Sequence, residues 1–138
     1  MADLILNSDD VLTVTNSFPS LIKGTAGENI TAGDILYFSP SASKYLKAKA
    51  DNLLSADAVG VACNTAANGQ PVEILTSGVI SLGAGLTSGI IYVLSSATAG
   101  ALCLASDLSS GDYVTVIGIA KDADQLQVRI INSGAVLS

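Results

Sequence analysis

The strongest constraint on this chain is that it is written twice. "ITAGDILYFSP" at 30–40 is echoed by "LTSGIIYVLSS" at 86–96, so Thr31, Gly33 and Ser39 each stand 56 positions before Thr87, Gly89 and Ser95. At the same offset Leu46 matches Leu102, Val72 matches Val128, Ile74 matches Ile130, and "TSG" at 76–78 falls on "NSG" at 132–134. Between them, "VGVA" at 59–62 meets "IGIA" at 117–120 at an offset of 58, a slip taken back where "KDADQ" replaces the longer "CNTAANGQP". Register kept in apolar runs, with length changes confined to polar turns, marks a structural duplication. The halves are about 30–78 and 86–134. Two copies are too few for a solenoid, so the expectation is one compact body with pseudo-twofold symmetry.

Inside each half the apolar period is two. "ILYFS" places Ile35 and Tyr37 on one face and Leu36 and Phe38 on the other; "KYLKAKA" alternates in the same way. "AVGVAC" and "PVEILTSGVISL" complete the first half, with Asn68-Gly69 between them as a hairpin signal. The second half repeats the order as "GIIYVLS", "ALCLAS", "YVTVIGIA" and "LQVRIIN". No segment sustains a helical period. The expected fold is all-β, a compact β-barrel or sandwich built from two pseudo-symmetric halves. Residues 1–21 lie outside the duplication and read as an extended N-terminal arm; 22–138 form a single β domain. Leu4, Ile5, Leu6, Val11, Leu12 and Val14 on that arm are the candidate contacts to a partner chain, through strand addition and pocket filling.

Composition removes several function classes. Charged residues make up 13 % of the chain, about half the globular average, and the net charge is −6. Lys44, Lys47 and Lys49 are the nearest thing to a basic cluster, too sparse for the concentrated positive surface that nucleic acid requires. Residues 74–106 carry no charge at all. Glycine interrupts that tract throughout, so it is no membrane span; it suggests burial, in the core or between subunits. The opening "MADLILNSDDV" has acids where a secretory signal needs a basic start.

Reactive chemistry is equally thin. Histidine is absent, which removes the commonest general base and neutral metal ligand. No "GxSxG" frame occurs. Cys63 and Cys103 match no metal or redox spacing and read as small buried hydrophobes, Cys103 at the position of Lys47 in the first copy. Asp122 and Asp124 lie two apart, as in a calcium loop, but the remaining ligand positions hold Ala, Gln and Leu, so they read as a polar turn. The expectation is a non-enzyme with no cofactor and no metal.

Two resemblances bear on function. "GENITAGDILYF" resembles the opening of biotinyl and lipoyl carrier domains, yet "SASKYLK" lacks the Asp-Lys or Met-Lys pair that carries their cofactor. The carrier reading is set aside. Across 30–134 the wording Ala32-Gly33, then Ala58 to Ala62, then Val72 to Gly78, resembles the head decoration (cement) proteins of tailed bacteriophages. That resemblance implies a homotrimer made in the host cytoplasm and added to the outer capsid surface of the virion. There it would bind the major capsid protein and stabilise the expanded head by bridging capsid subunits. The alternative it leaves is a tail-fibre or head-fibre module for host-surface attachment. A small cysteine- or metal-dependent enzyme is the remaining class, and it would require Cys63 or Cys103 to support an activity.

Overall fold

The computed structural model describes residues 11–13, 19–83 and 85–137. Its strands are β1 (Leu12–Thr13), β2 (Ser20–Thr25), β3 (Ile35–Ser39), β4 (Lys44–Lys47), β5 (Ala58–Ala62), β6 (Pro71–Ser81), β7 (Ile91–Leu94), β8 (Leu102–Leu104), β9 (Tyr113–Ala120) and β10 (Gln125–Val136). A 3-10 turn covers Ala105–Asp107. The strands form one antiparallel sheet in the order β4-β3-β5-β6-β10-β9-β7-β8, curled into a half-barrel. The order is palindromic: β4, β3, β5 and β6 of the first half answer β8, β7, β9 and β10 of the second. The chain is thus an all-β body.

The duplication extends to individual backbone bonds. In each copy the Thr-x-Gly stretch makes a type II turn, with the Asp34 N–H donating to the Thr31 carbonyl and the Ile90 N–H to the Thr87 carbonyl. Gly33 and Gly89 take the positive φ, 97° and 83°, that this turn demands at its third position. Their own N–H groups then donate to Ala62 and Ala120. Ile35 pairs with Val61 and Leu36 with Gly60, after which a bulge brings Tyr37 opposite Ala58. In the second half Ile91 pairs with Ile119 and Tyr92 with Gly118, and the same bulge brings Val93 opposite Val116.

Two equivalences read from sequence are corrected. Ala62 pairs with Ile74, and Ala120 pairs with Leu126, so the counterpart of Ile74 is Leu126 and not Ile130. The "TSG" and "NSG" stretches, and Val72 and Val128, are therefore not counterparts. The first-half connection, 63–73, is longer than 121–125, and the difference is not restored later. Its residues fold back as a cap, through the Ile30–Ala66 bridge and bonds that tie Gly69 and Gln70 to Ala26. Asn68-Gly69 accordingly forms no two-residue hairpin: Gln70 N–H reaches Ala67, and Gly69 alone takes the positive φ. Similarly, Tyr37 pairs with Leu46 while Val93 pairs with Cys103, so Cys103 replaces Leu46, not Lys47, and Leu102 replaces Tyr45, not Leu46, because the second hairpin has the longer loop.

The faces of the two halves are used differently. To the central core the first half gives Ile35, Tyr37, Ala58, Val61 and Leu75, whereas the second gives Tyr92, Leu94, Ile117, Ala120 and Leu126. By the paired registers these are opposite faces of the repeat. Counterparts of the second set, Leu36, Val59, Ala62 and Ile74, pack instead into a separate core with Ala26, Ile30 and Ala66. A strict twofold would bring equivalent faces together; here unlike faces meet. The cause lies in β6. Its ladder to β2 skips Thr76, and Gly78 has φ 123°, so Leu75 and Ile80, an odd number of residues apart, both point into the central core. Pro19 sits where a Gly78 side chain would go.

The charge-free tract supplies the core itself, through Leu75, Ile80, Leu82, Leu86, Tyr92, Leu94 and Leu102. The arm is not separate where it is described: β1 and β2 run antiparallel along the outer edge of β6, and β2 crosses the expected boundary at residue 21. Backbone bonds also knit the halves, from the Ile35 N–H to the Gly100 carbonyl and from the Gly100 N–H to the Ala48 carbonyl.

Gly60 and Gly118 are matched close approaches: a Cβ on either would collide with the carbonyl oxygen of Leu75 or Gln127 on the neighbouring strand. Gly60→Ala and Gly118→Ala should each lower unfolding free energy by about 1–3 kcal/mol, the usual range for overpacking. Urea denaturation of the two variants checks this, and a neutral outcome at either position would contradict the shared register.

Candidate functional site

One long loop carries large apolar side chains out to solvent conspicuously. Residues 50–57 cross between β4 and β5 as a chain of turns. Asn52 shapes it: its side-chain oxygen accepts the Leu54 N–H at 2.9 Å, and its carbonyl accepts the Ala56 N–H at 2.9 Å. The Ser55 hydroxyl donates to the Lys49 carbonyl at 2.8 Å. The loop is then pinned to the second half from below. Tyr113 N–H donates to Ala50 at 2.7 Å, and the buried Thr115 hydroxyl donates to the Ala56 carbonyl at 2.7 Å.

Asn132 supplies the third tie. Its Oδ1 accepts the Ala58 N–H and its Nδ2 donates to the Ala58 carbonyl, both at 3.1 Å. One side chain thereby imitates a β-bridge between β5 and β10, where the two backbones make no ladder of their own. β10 pairs with β6 only as far as Arg129 opposite Ser77, so beyond that residue its edge facing β5 is unladdered among the described residues.

These ties create a cleft of about 370 Å³ lined by Leu53, Leu54, Ala56, Tyr113, Thr115 and Asn132, with Asp57 and Gly134 completing its wall. Its rim is apolar and open: Leu53 is 61 % exposed and Leu54 50 %. Ile131, Val136 and Leu137, on or just beyond β10, are exposed as well. The polar atoms in the floor, the Thr115 hydroxyl and the Asn132 amide, already have backbone partners. The cleft therefore offers shape and largely apolar surface to a binding partner, while the Thr115 hydroxyl and the Asn132 amide hold the loop.

Other singled-out groups have structural roles. Asp122 Oδ1 accepts the N–H groups of Asp124 and Gln125, closing the turn between β9 and β10. Asp34 accepts the Thr31 N–H, and partial burial raises its pKa above the ordinary carboxylate value. Among the described residues no group of three His, Cys, Asp or Glu side chains is placed to hold a metal ion, and no helix is long and apolar enough to cross a membrane. Cys103 is buried, with its thiol toward the Leu94 carbonyl, whereas Cys63 is only half-buried.

Of the predicted contact residues, Leu4, Ile5, Leu6 and Val14 lie outside the described residues. Val11 is buried in this chain's own central core, and Leu12 pairs with Ser81 on the edge of β6. The cleft went unmarked in the sequence reading. Its one legible signal was the adjacent pair Leu53-Leu54 inside the polar stretch "DNLLSAD", a doublet of large apolar residues where a loop would ordinarily be polar. No protein-family model matches this chain, and no curated protein matches it closely enough to count as a relative.

Two measurements test this account. Asn132→Ala removes the Nδ2 donor from the buried Ala58 carbonyl and leaves the Ala58 N–H only its bond to the Ala56 carbonyl, and should cost about 1–3 kcal/mol in urea unfolding; an unchanged midpoint would mean the side-chain bridge does not hold the loop. The Cys63 thiol is pushed up to about 11, first by burial and then by the charge of Glu73, against a weaker opposing bond from Leu75. A raised thiol pKa keeps the group protonated at neutral pH, so native Cys63 should alkylate slowly at pH 8 and accelerate only toward pH 11. Rapid iodoacetamide labelling at pH 8, read by mass, would contradict it.

Proposed function

We propose that this chain is a structural virion protein of a tailed bacteriophage, a homotrimer that binds the outer capsid surface and bridges neighbouring capsid subunits. The carrying observation is the leucine-rimmed cleft: two large apolar side chains held out to solvent on a loop that three sets of hydrogen bonds keep rigid. Holding such groups exposed forgoes roughly 1.5–3 kcal/mol per side chain that burial would return. A partner surface that covers them recovers it. A pre-shaped loop also loses little conformational entropy on binding.

The resemblance across 30–134 selects which partner. Decoration proteins need a stiff body and an adhesive surface and do their work mechanically. The half-barrel supplies the first, the Leu53–Leu54 rim the second. The unladdered end of β10 adds a backbone edge on which an extended capsid segment can pair, independent of its sequence. Repetition over a capsid lattice turns modest single contacts into lasting attachment.

The test is co-sedimentation of purified protein with undecorated, expanded phage heads. Wild type should pellet with heads at micromolar concentration, while Leu53→Asp combined with Leu54→Asp should weaken binding at least ~10-fold, the effect of losing about 1.4 kcal/mol at a hot spot. Wild-type protein remaining in the supernatant would refute the reading.

A further inference from the structure

The chain contains one complete junction between two faces of its repeat, and the unused counterpart of each face. In the first half, the face that carries Ile35 and Val61 is sealed, at 0 % and 1 % exposure. What seals it is the opposite face of the second half, with Leu94 and Leu102 in the same core cluster. The counterparts of Ile35 and Val61 are Ile91 and Ile119, a directly opposed cross-strand pair on β7 and β9. These stand 50 % and 47 % exposed. Next along the same face comes Gln127, opposite Ile119. Two adjacent isoleucines thus lie bare where the fold's own precedent buries them.

The complementary face is also left partly open, on β3 and β4. In the first half its middle is covered by Ala26, Ile30 and Ala66, but its rim is not. Phe38 is 39 % exposed and meets Tyr45 edge to face, ring centroids 5.1 Å apart. The registers make Phe38 the counterpart of Leu94 and Tyr45 the counterpart of Leu102. Those are the residues that pack with Ile35 inside the chain. Two of the six aromatic residues in the whole sequence are therefore placed at this one rim.

We infer that a second copy of the chain docks head to tail, laying its Phe38–Tyr45 rim on the Ile91–Ile119 face of the first. The contact repeats between chains what the two halves make within one. Because unlike faces meet, the junction is heterologous, and such junctions propagate until a rotation closes them. Closure after three chains places six repeats around one axis. The inference deepens the trimer in the proposed function and names its surface; it does not depend on capsid binding.

The experiment is light scattering coupled to size exclusion on the full chain at about 50 µM. Wild type should run as three copies of the 13.8 kDa chain, and Ile119→Lys and Phe38→Lys should each run as one. Mixed in equal amounts, the two variants should form a two-chain species, since each retains the face the other has lost. Lys23→Glu, an exposed change on the face of β2 turned away from Gly24 and Tyr45, should leave the trimer intact. All substituted side chains are partly exposed, and a thermal melt confirms folding; if Ile119→Lys does not fold, Ile91→Asn replaces it. A monomeric wild type, a mixture that stays monomeric, or dissociation by Lys23→Glu overturns the inference. Lost self-assembly with head binding retained would sink this proposal alone, and the reverse result would sink only the capsid reading.

Discussion

A β-strand has two faces, and an apolar residue on either must be covered by something. In this protein both faces of each half carry Val, Ile, Leu or Ala, so one shared core cannot satisfy them. The skip at Thr76 and the left-handed Gly78 settle the matter by turning β6 over partway along its length. Its early residues serve the cap side through Ile74 and the centre through Leu75, and its later residues, Ile80 above all, join β10 and the second half. From that break follow the curl of the sheet, the meeting of unlike faces, and the need for a separate cap over Leu36, Ala62 and Ile74.

The cap explains why the copies differ in length where they do. The first half inserts residues between β5 and β6, and these seal the face that has no repeat packed against it. The second half needs no such insertion there, because its corresponding face is already covered by the first. Its outward face instead receives Leu108 over Val93 and Cys103, leaving Ile91 and Ile119 beyond the reach of that cover. The adhesive features of the molecule are thus the residues at which the internal covering scheme stops.

Rigidity at the leucine-rimmed cleft has a separate origin. Polar side chains fixed by backbone partners, Asn52, Ser55, Thr115 and Asn132, hold the loop through directional bonds in places where apolar packing is incomplete. Asn132 is the most consequential, since it joins two strands that have drifted out of ladder distance. Losing a partner from such a pair is costly because the Ala58 backbone groups it satisfies are buried.

Much of this was legible in the residues. Thr31–Asp34 and Thr87–Ile90 announce matching turns because only glycine takes positive φ there without strain, and the two-residue period of "ILYFS" assigns Ile35 and Leu36 to opposite sides correctly. Exposure of the Leu53-Leu54 doublet was legible in principle. By contrast, the register of the last strands was not: the match of Val72 to Val128 is good as letters and wrong in space, because apolar β-branched residues satisfy any even shift of an alternating strand. The sequence by itself determined the β period, the duplication and the turns, all of which are local and set by φ, ψ and side-chain alternation. Only the tertiary structure decided which face of each copy is inside, because that depends on a single bulge whose sign reverses every side chain beyond it.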